Sequence, residues 1–187
     1  MKYSYKLVIV LFLALSTLGL KMSGQTVDLG EPVTWQSKEP SKLKAINLPQ
    51  IDVNELKAED EINMSNKVGP FRFGHEHIVN FDLLESGSKL MTEDGGEVFR
   101  IAFKAKNALT MNVFFNVFRL GEGEKLYVYD KHGKYYDGAY TSLNNQADGM
   151  LSTMPIPTDE IVIEYYRPAM SGSNSELVIG HVVQGYR

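Results

Sequence analysis

From residue 71 onward the chain is written in short runs of Val, Ile, Phe and Tyr, separated by clusters of Gly, Asn, Asp and Pro. That texture predicts strands, because β-branched and aromatic side chains fit a pleated surface and the intervening residues are those that turn a chain. "EVFRIAFKA" alternates, with Phe99, Ile101 and Phe103 on one face and Arg100 and Lys104 on the other. "TMNVFFNVF" alternates less cleanly, which suits a strand covered on both sides. "FRFGHEHIVNFDL", "EKLYVYD", "KYYDGAYT", "GMLSTMP", "EIVIEYY" and "SELVIGHVV" supply the others, with turn signals at residues 121–123, 132–133, 144–149, 155–159 and 171–175. About eight strands at this spacing predict an all-β fold, an antiparallel sandwich of the jelly-roll kind.

Upstream the pattern changes. "IDVNELKAEDEINMS" carries Asp52 as an N-cap with Glu55 three residues later, which predicts one short helix over 52–63. Residues 25–50 hold three prolines and no sustained period, so they read as an extended arm, with Trp35, the single tryptophan, packing on the domain as its anchor. At 187 residues the chain has room for one ordinary core, placed at 51–187.

The first 24 residues have a different pattern again. Lys2 and Lys6 precede an apolar run at 7–20, and small residues Ser23 and Gly24 follow, which reads as a secretory signal peptide cut between Gly24 and Gln25. The run falls short of the roughly 20 residues that cross a bilayer, so no stable membrane anchor is expected. Export would place the protein in the periplasm, on the cell surface or outside the cell. There is no cysteine, so stability must come from the core without disulfides. Removing residues 1–24 takes three lysines and no acid, moving the formal charge from −4 to −7. That disfavours nucleic acid and anionic membrane as partners. Lys38, Lys42 and Lys44 form the one basic stretch, read as a solvated arm.

Candidate chemistry is sparse. His75 and His77 flank Glu76 and, two apart on a strand, share one face. A metal there would need ligands from neighbouring strands, and the helical His spacing of zinc proteases is missing. His132 falls in a turn and His181 in the last strand, so we expect no metal site and no cofactor, only a strand whose polar face carries histidines. No Gly-Asp-Ser-Gly or Gly-x-Ser-x-Gly frame occurs, and "SGSNSE" at 171–176 is the nearest approach to one. No catalytic residue is therefore assigned. Glu59, Asp60 and Glu61 read as the solvated face of the helix. Two binding features remain: tyrosines 127, 129, 135 and 136, which on an exposed strand face would stack on sugars, and the oxygens of "NNQADG" at 144–149, which suit either calcium or a plain turn.

Five ordered blocks, "IDVNELKAEDEIN", "FRFGHEHIVNFDLLESG", "GEKLYVYD", "GAYTSLNNQADGMLSTMPIPTDEIVIEYYRP" and "LVIGHVVQGYR", together resemble the N-terminal pro-region of secreted bacterial trypsin-like serine proteases of the lysyl endopeptidase type. The motif positions are Asn144, Asn145, Asp148, Gly149, Glu164, Tyr165, Tyr166, Gly185 and Tyr186. The resemblance implies a non-catalytic β-rich domain that assists folding of a chymotrypsin-fold catalytic domain, inhibits it, or both. That catalytic domain is the implied partner, in cis or in trans, with Arg187 as the processing point. Three positions depart from the pattern: Arg167 stands for an acid, Gln184 for a histidine and Phe99 for a tryptophan. The alternative is a stand-alone carbohydrate-binding or surface-adhesion sandwich, with polysaccharide as partner.

Overall fold

The computed structural model describes residues 30–36, 43–172 and 174–187. The leader, its Gly24/Gln25 cut, Lys38 and Lys42 lie outside the described residues. In chain order the elements are a 3-10 turn (Val33–Gln36), β1 (Ile46–Asn47), α1 (Val53–Ser65), β2 (Gly74–Asp82), α2 (Leu83–Ser86), β3 (Ser88–Met91), β4 (Glu97–Lys104), β5 (Thr110–Arg119), β6 (Lys125–Asp130), β7 (Tyr136–Tyr140), a second 3-10 turn (Ser142–Asn144), β8 (Leu151–Ser152), β9 (Glu160–Arg167) and β10 (Glu176–Gly185).

Two sheets face each other. The smaller runs β2-β10-β5-β8, and the larger runs β1-β4-β9-β6-β7 with β3 also on β4. Taken without the short β1 and β3, the eight remaining strands pair outermost with outermost: β2 with β10, β4 with β9, β5 with β8, β6 with β7. This is one long hairpin rolled into two layers, the jelly roll that the strand spacing predicts. Each of its eight strands coincides with a run read from the sequence. The additions are β1, β3 and α2, and β1 pairs with β4 in parallel.

The alternation in β4 works as expected: Phe99, Ile101 and Phe103 point between the sheets, against Met111, Val113 and Phe115 of β5 and Ile161, Ile163 and Tyr165 of β9. Burying each such side chain contributes about 1.5–3 kcal/mol. The uneven pattern of β5 has a specific cause. Val178 pairs with Val117 but Ile179 with Phe115, so Asn116 is an extra residue that lets Phe115 and Phe118 both face inward.

The larger sheet is buried on its outer side too. Ala102, Tyr127, Tyr129, Ala139 and Val162 form a second cluster there, covered by Trp35, Leu43 and Ala45 of the arm. Trp35 stands edge-on to Tyr129 at 5.3 Å and to Tyr136 at 5.6 Å. The anchoring expected of Trp35 is thus made. The turn beneath it needs Gly133, whose φ is +67° and where a Cβ would come within 3.2 Å of the indole.

Helix α1 starts where expected. The Asp52 carboxylate accepts from the N–H groups of Asn54 (2.9 Å) and Glu55 (3.2 Å). It ends two residues later than the sequence reading, at Ser65, and Lys67 at φ +53° and Gly69 at φ +74° follow.

Candidate functional site

The histidines share one face, but it is the inner one, which corrects the polar-face expectation. His77 pairs with Val182 of the core and is buried, and its Nε2 lies 2.9 Å from Gln184 Oε1. The His75 ring stands 4.9 Å from that of His77, and burial, with the neighbouring ring and Arg72, holds its pKa below the ordinary value of 6.5. His132 sits in an exposed turn, and the His181 ring stacks edge-on against Phe114 at 5.8 Å on the outer face of the smaller sheet. Among the described residues, no three His, Asp or Glu side chains gather as metal ligands, and no helix is long and apolar enough to cross a membrane.

The motif positions are joints of the scaffold. Asn144 Oδ1 accepts from the Thr141 N–H at 2.9 Å in a capping box. Asn145 clamps Leu120, accepting from its N–H (3.0 Å) and donating to its C=O (2.9 Å). Asp148 accepts from the Met150 N–H at 3.0 Å, and Gly149 supplies φ +71°. Three of the oxygens considered for calcium, Asn144 Oδ1, Asn145 Oδ1 and Asp148 Oδ1, are thereby engaged in turn geometry. Tyr166 donates to Asp94 at 3.1 Å, and Gly185 lies so close to Thr110 that a Cβ would fall 2.1 Å from Oγ1.

Glu164 is the most deeply placed of these. It is fully buried on the outer side of β9, directly across the ladder from buried Arg100. The arm closes over it: the Thr34 N–H donates at 3.1 Å, the Thr34 hydroxyl donates as well, and the Tyr129 hydroxyl donates at 2.8 Å. Burial and the Glu164 charge push the Tyr129 hydroxyl well above its ordinary range. A groove of about 680 Å³ lies beside this network, lined by Trp35, Arg100, Lys131, His132 and Glu160 among others.

The tyrosine platform needs correction. Tyr127 and Tyr129 are 1% and 5% exposed because the arm supplies a layer that local alternation does not announce, and Tyr135 and Tyr136 alone remain open. The "SGSNSE" stretch is equally structural where it is described: Ser171 and Ser175 both donate to buried Glu124, which also accepts from the Gly121 N–H at 2.7 Å.

Two of the positions that depart from the resembling pattern, Arg167 and Phe99, meet in space. Arg167 pairs with Glu97 at 2.5 Å and lies 5.3 Å over the Phe99 ring. The third, Gln184, bridges His77 and the Lys106 carbonyl.

At the opposite end, the acidic face of α1 is not wholly solvated. Asp60 is buried, accepting from the Tyr186 hydroxyl at 2.9 Å and from Arg72 Nε at 2.7 Å, with Arg187 Nε at 3.2 Å. Burial pushes its carboxyl up, but the hydrogen bonds from Tyr186 and Arg72 and the two positive charges outweigh this and hold it below 3.8. Lys89 and Arg167 hold Glu97 below 4.5 in the same way. Both groups have folded pKa values beneath their unfolded ones, so their stabilisation is complete above the unfolded values and is lost as pH falls through the folded ones. Melting temperature should therefore decline gently below about pH 6.5, where the unfolded chain binds a proton that His75 resists, and drop steeply below about pH 4 as Asp60 and Glu97 protonate. Asp60→Asn should lower the plateau and shallow the acid limb in thermal melts taken across pH.

No family model, curated protein or solved structure matches the chain. Fold and geometry define an all-β jelly roll whose distinctive polar residues hold segments together.

Proposed function

We propose that this chain is the non-catalytic pro-region of a secreted serine protease of the lysyl endopeptidase type, acting as folding assistant of the catalytic domain, as its inhibitor, or as both. The observation that carries the reading is where the resembling blocks fall. Their distinctive residues, Asn145, Glu164 and Tyr186 among them, serve as clamps between distant segments of one jelly roll. A domain whose distant segments are clamped in this way has a fixed shape to present. A β-barrel protease gains from a template, because its strand pairings are non-local and form slowly. The buried state of Tyr127 and Tyr129 weighs against the sugar-binding alternative.

The purified chain, added in trans to the denatured catalytic domain of the same gene or a close neighbour, should raise the yield of active enzyme several-fold. It should also inhibit that enzyme until a bond at or near Arg187 is cut. Absence of both effects, with retention on insoluble polysaccharide that depends on Tyr135 and Tyr136, would establish the alternative.

A further inference from the structure

The sheet edges differ in how they are protected. Among the described residues, β1 and β8 are two residues long, and β3 is four residues long with Lys89 held by Glu97. Edge strand β7 is backed by the loop at Met154, whose N–H donates to Asp137 at 2.9 Å. β2 is different. It runs nine residues, bonds β10 along one side only, contains neither Lys nor Pro, and leaves Ile78 72% exposed. Proteins ordinarily blunt such an edge, since its free N–H and C=O groups template another strand. A kink at Asn80, φ +45°, confines the open ladder to residues 74–79, and Glu76 is the one Lys, Arg, Asp or Glu within it.

A groove of about 550 Å³ lies at the start of this strand, with Met64, Val68, Phe71 and Phe73 among its walls, each of them exposed. Of its charged lining residues, Asp60 and Arg72 pair at 2.7 Å. That leaves Glu76, 69% exposed, with His181 Nδ1 3.5 Å away. The charge offered to a visitor is negative, and its complement is a basic side chain.

We propose that the open edge of β2 receives an extended segment of the partner catalytic domain as a fifth strand of the smaller sheet. A lysine or arginine of that segment lies against Glu76, and apolar side chains lie against Ile78 and in the Phe73 groove. This rests on the pro-region reading. The occupant is an extended chain because a strand alone satisfies a row of backbone groups while placing alternate side chains on the Glu76 and Ile78 face.

The test compares the purified wild-type chain with Ile78→Lys and Glu76→Lys, both exposed positions whose substitution should barely move the melting temperature. With the catalytic domain bound, amide hydrogen exchange should slow at residues 74–79, and each substitution should weaken the complex about tenfold. A complex of undiminished strength in both variants, with 74–79 still exchanging freely, overturns the inference and leaves the pro-region reading standing. If the catalytic domain is not bound at all, the reading fails, and acetyl-Val-Lys-Val-Lys-Val-Lys-amide then judges the edge. Saturable slowing at 74–79 that Glu76→Lys abolishes supports it, and none at millimolar peptide overturns it. A dimer in sedimentation equilibrium that Ile78→Lys dissolves overturns it in favour of a second copy.

Discussion

Replacing Glu164 by alanine should destabilise the fold by about 3–5 kcal/mol, because three donors, the Thr34 N–H, the Thr34 hydroxyl and the buried Tyr129 hydroxyl, lose their charged acceptor at once. For a domain of this size each kcal/mol moves the melting temperature by about 2–4 °C, so a fall of roughly 10 °C is expected. The arm loses its tie to the sheet in the same step. Two controls separate the contributions. Glu164→Gln keeps an acceptor in place and should cost less, while Thr34→Val removes one donor and should cost about 1 kcal/mol. Urea denaturation followed by circular dichroism measures all three. Equal stability of the wild type and Glu164→Ala would show that the buried carboxylate and its hydrogen bonds contribute nothing net.

The second large effect is expected at Asn145. Its side chain is the partner of both backbone groups of Leu120, a residue only 3% exposed. Asn145→Ala leaves an N–H and a C=O unpaired beneath the 141–150 loop, at a cost of about 1–3 kcal/mol each, partly relieved by water at the exposed end. We expect a net loss of about 2–3 kcal/mol, with hydrogen exchange at Leu120 rising more than in the strands. Asn145→Asp keeps the acceptor and loses the donor, so it should fall between. The Phe118 N–H to Gly149 C=O bond, at 2.7 Å, keeps the base of the loop attached in either variant.

The strands were legible because each carries its own evidence: β-rich runs between turn residues, with inner faces marked by alternation. The cap of α1 was legible for the same reason, since Asp52 bonds its immediate neighbours. What local reading missed was set by partners far away in sequence. β3 is a short Ser-Lys-Leu-Met run with no β-branched or aromatic residue, and it becomes a strand because β4 lies beside it. Asp60 resembles its exposed neighbours Glu59 and Glu61, and is buried because Tyr186, 126 residues on, donates to it. Tyr127 and Tyr129 look like outward aromatics until the arm is folded over them. The one signal for that layer was Trp35, which no solvated arm would need. Of the candidate site, Glu164 was visible as a motif position, but its Arg100, Thr34 and Tyr129 surroundings were not. The edge at β2 went unnoticed because openness is a property of what fails to pair.

The rolled hairpin also sets an order in time. β2 is the first of the eight jelly-roll strands to be synthesised, and its ladder partner β10 is the last. A growing chain can close β6 on β7 locally, but β2 has no neighbour in the smaller sheet until residues 176–185 exist. Loop closure over such distances is slow compared with hairpin formation. The β2 edge is therefore presented in its final form only after the last strand is in place. Whatever reads that edge reads a finished domain rather than a nascent one.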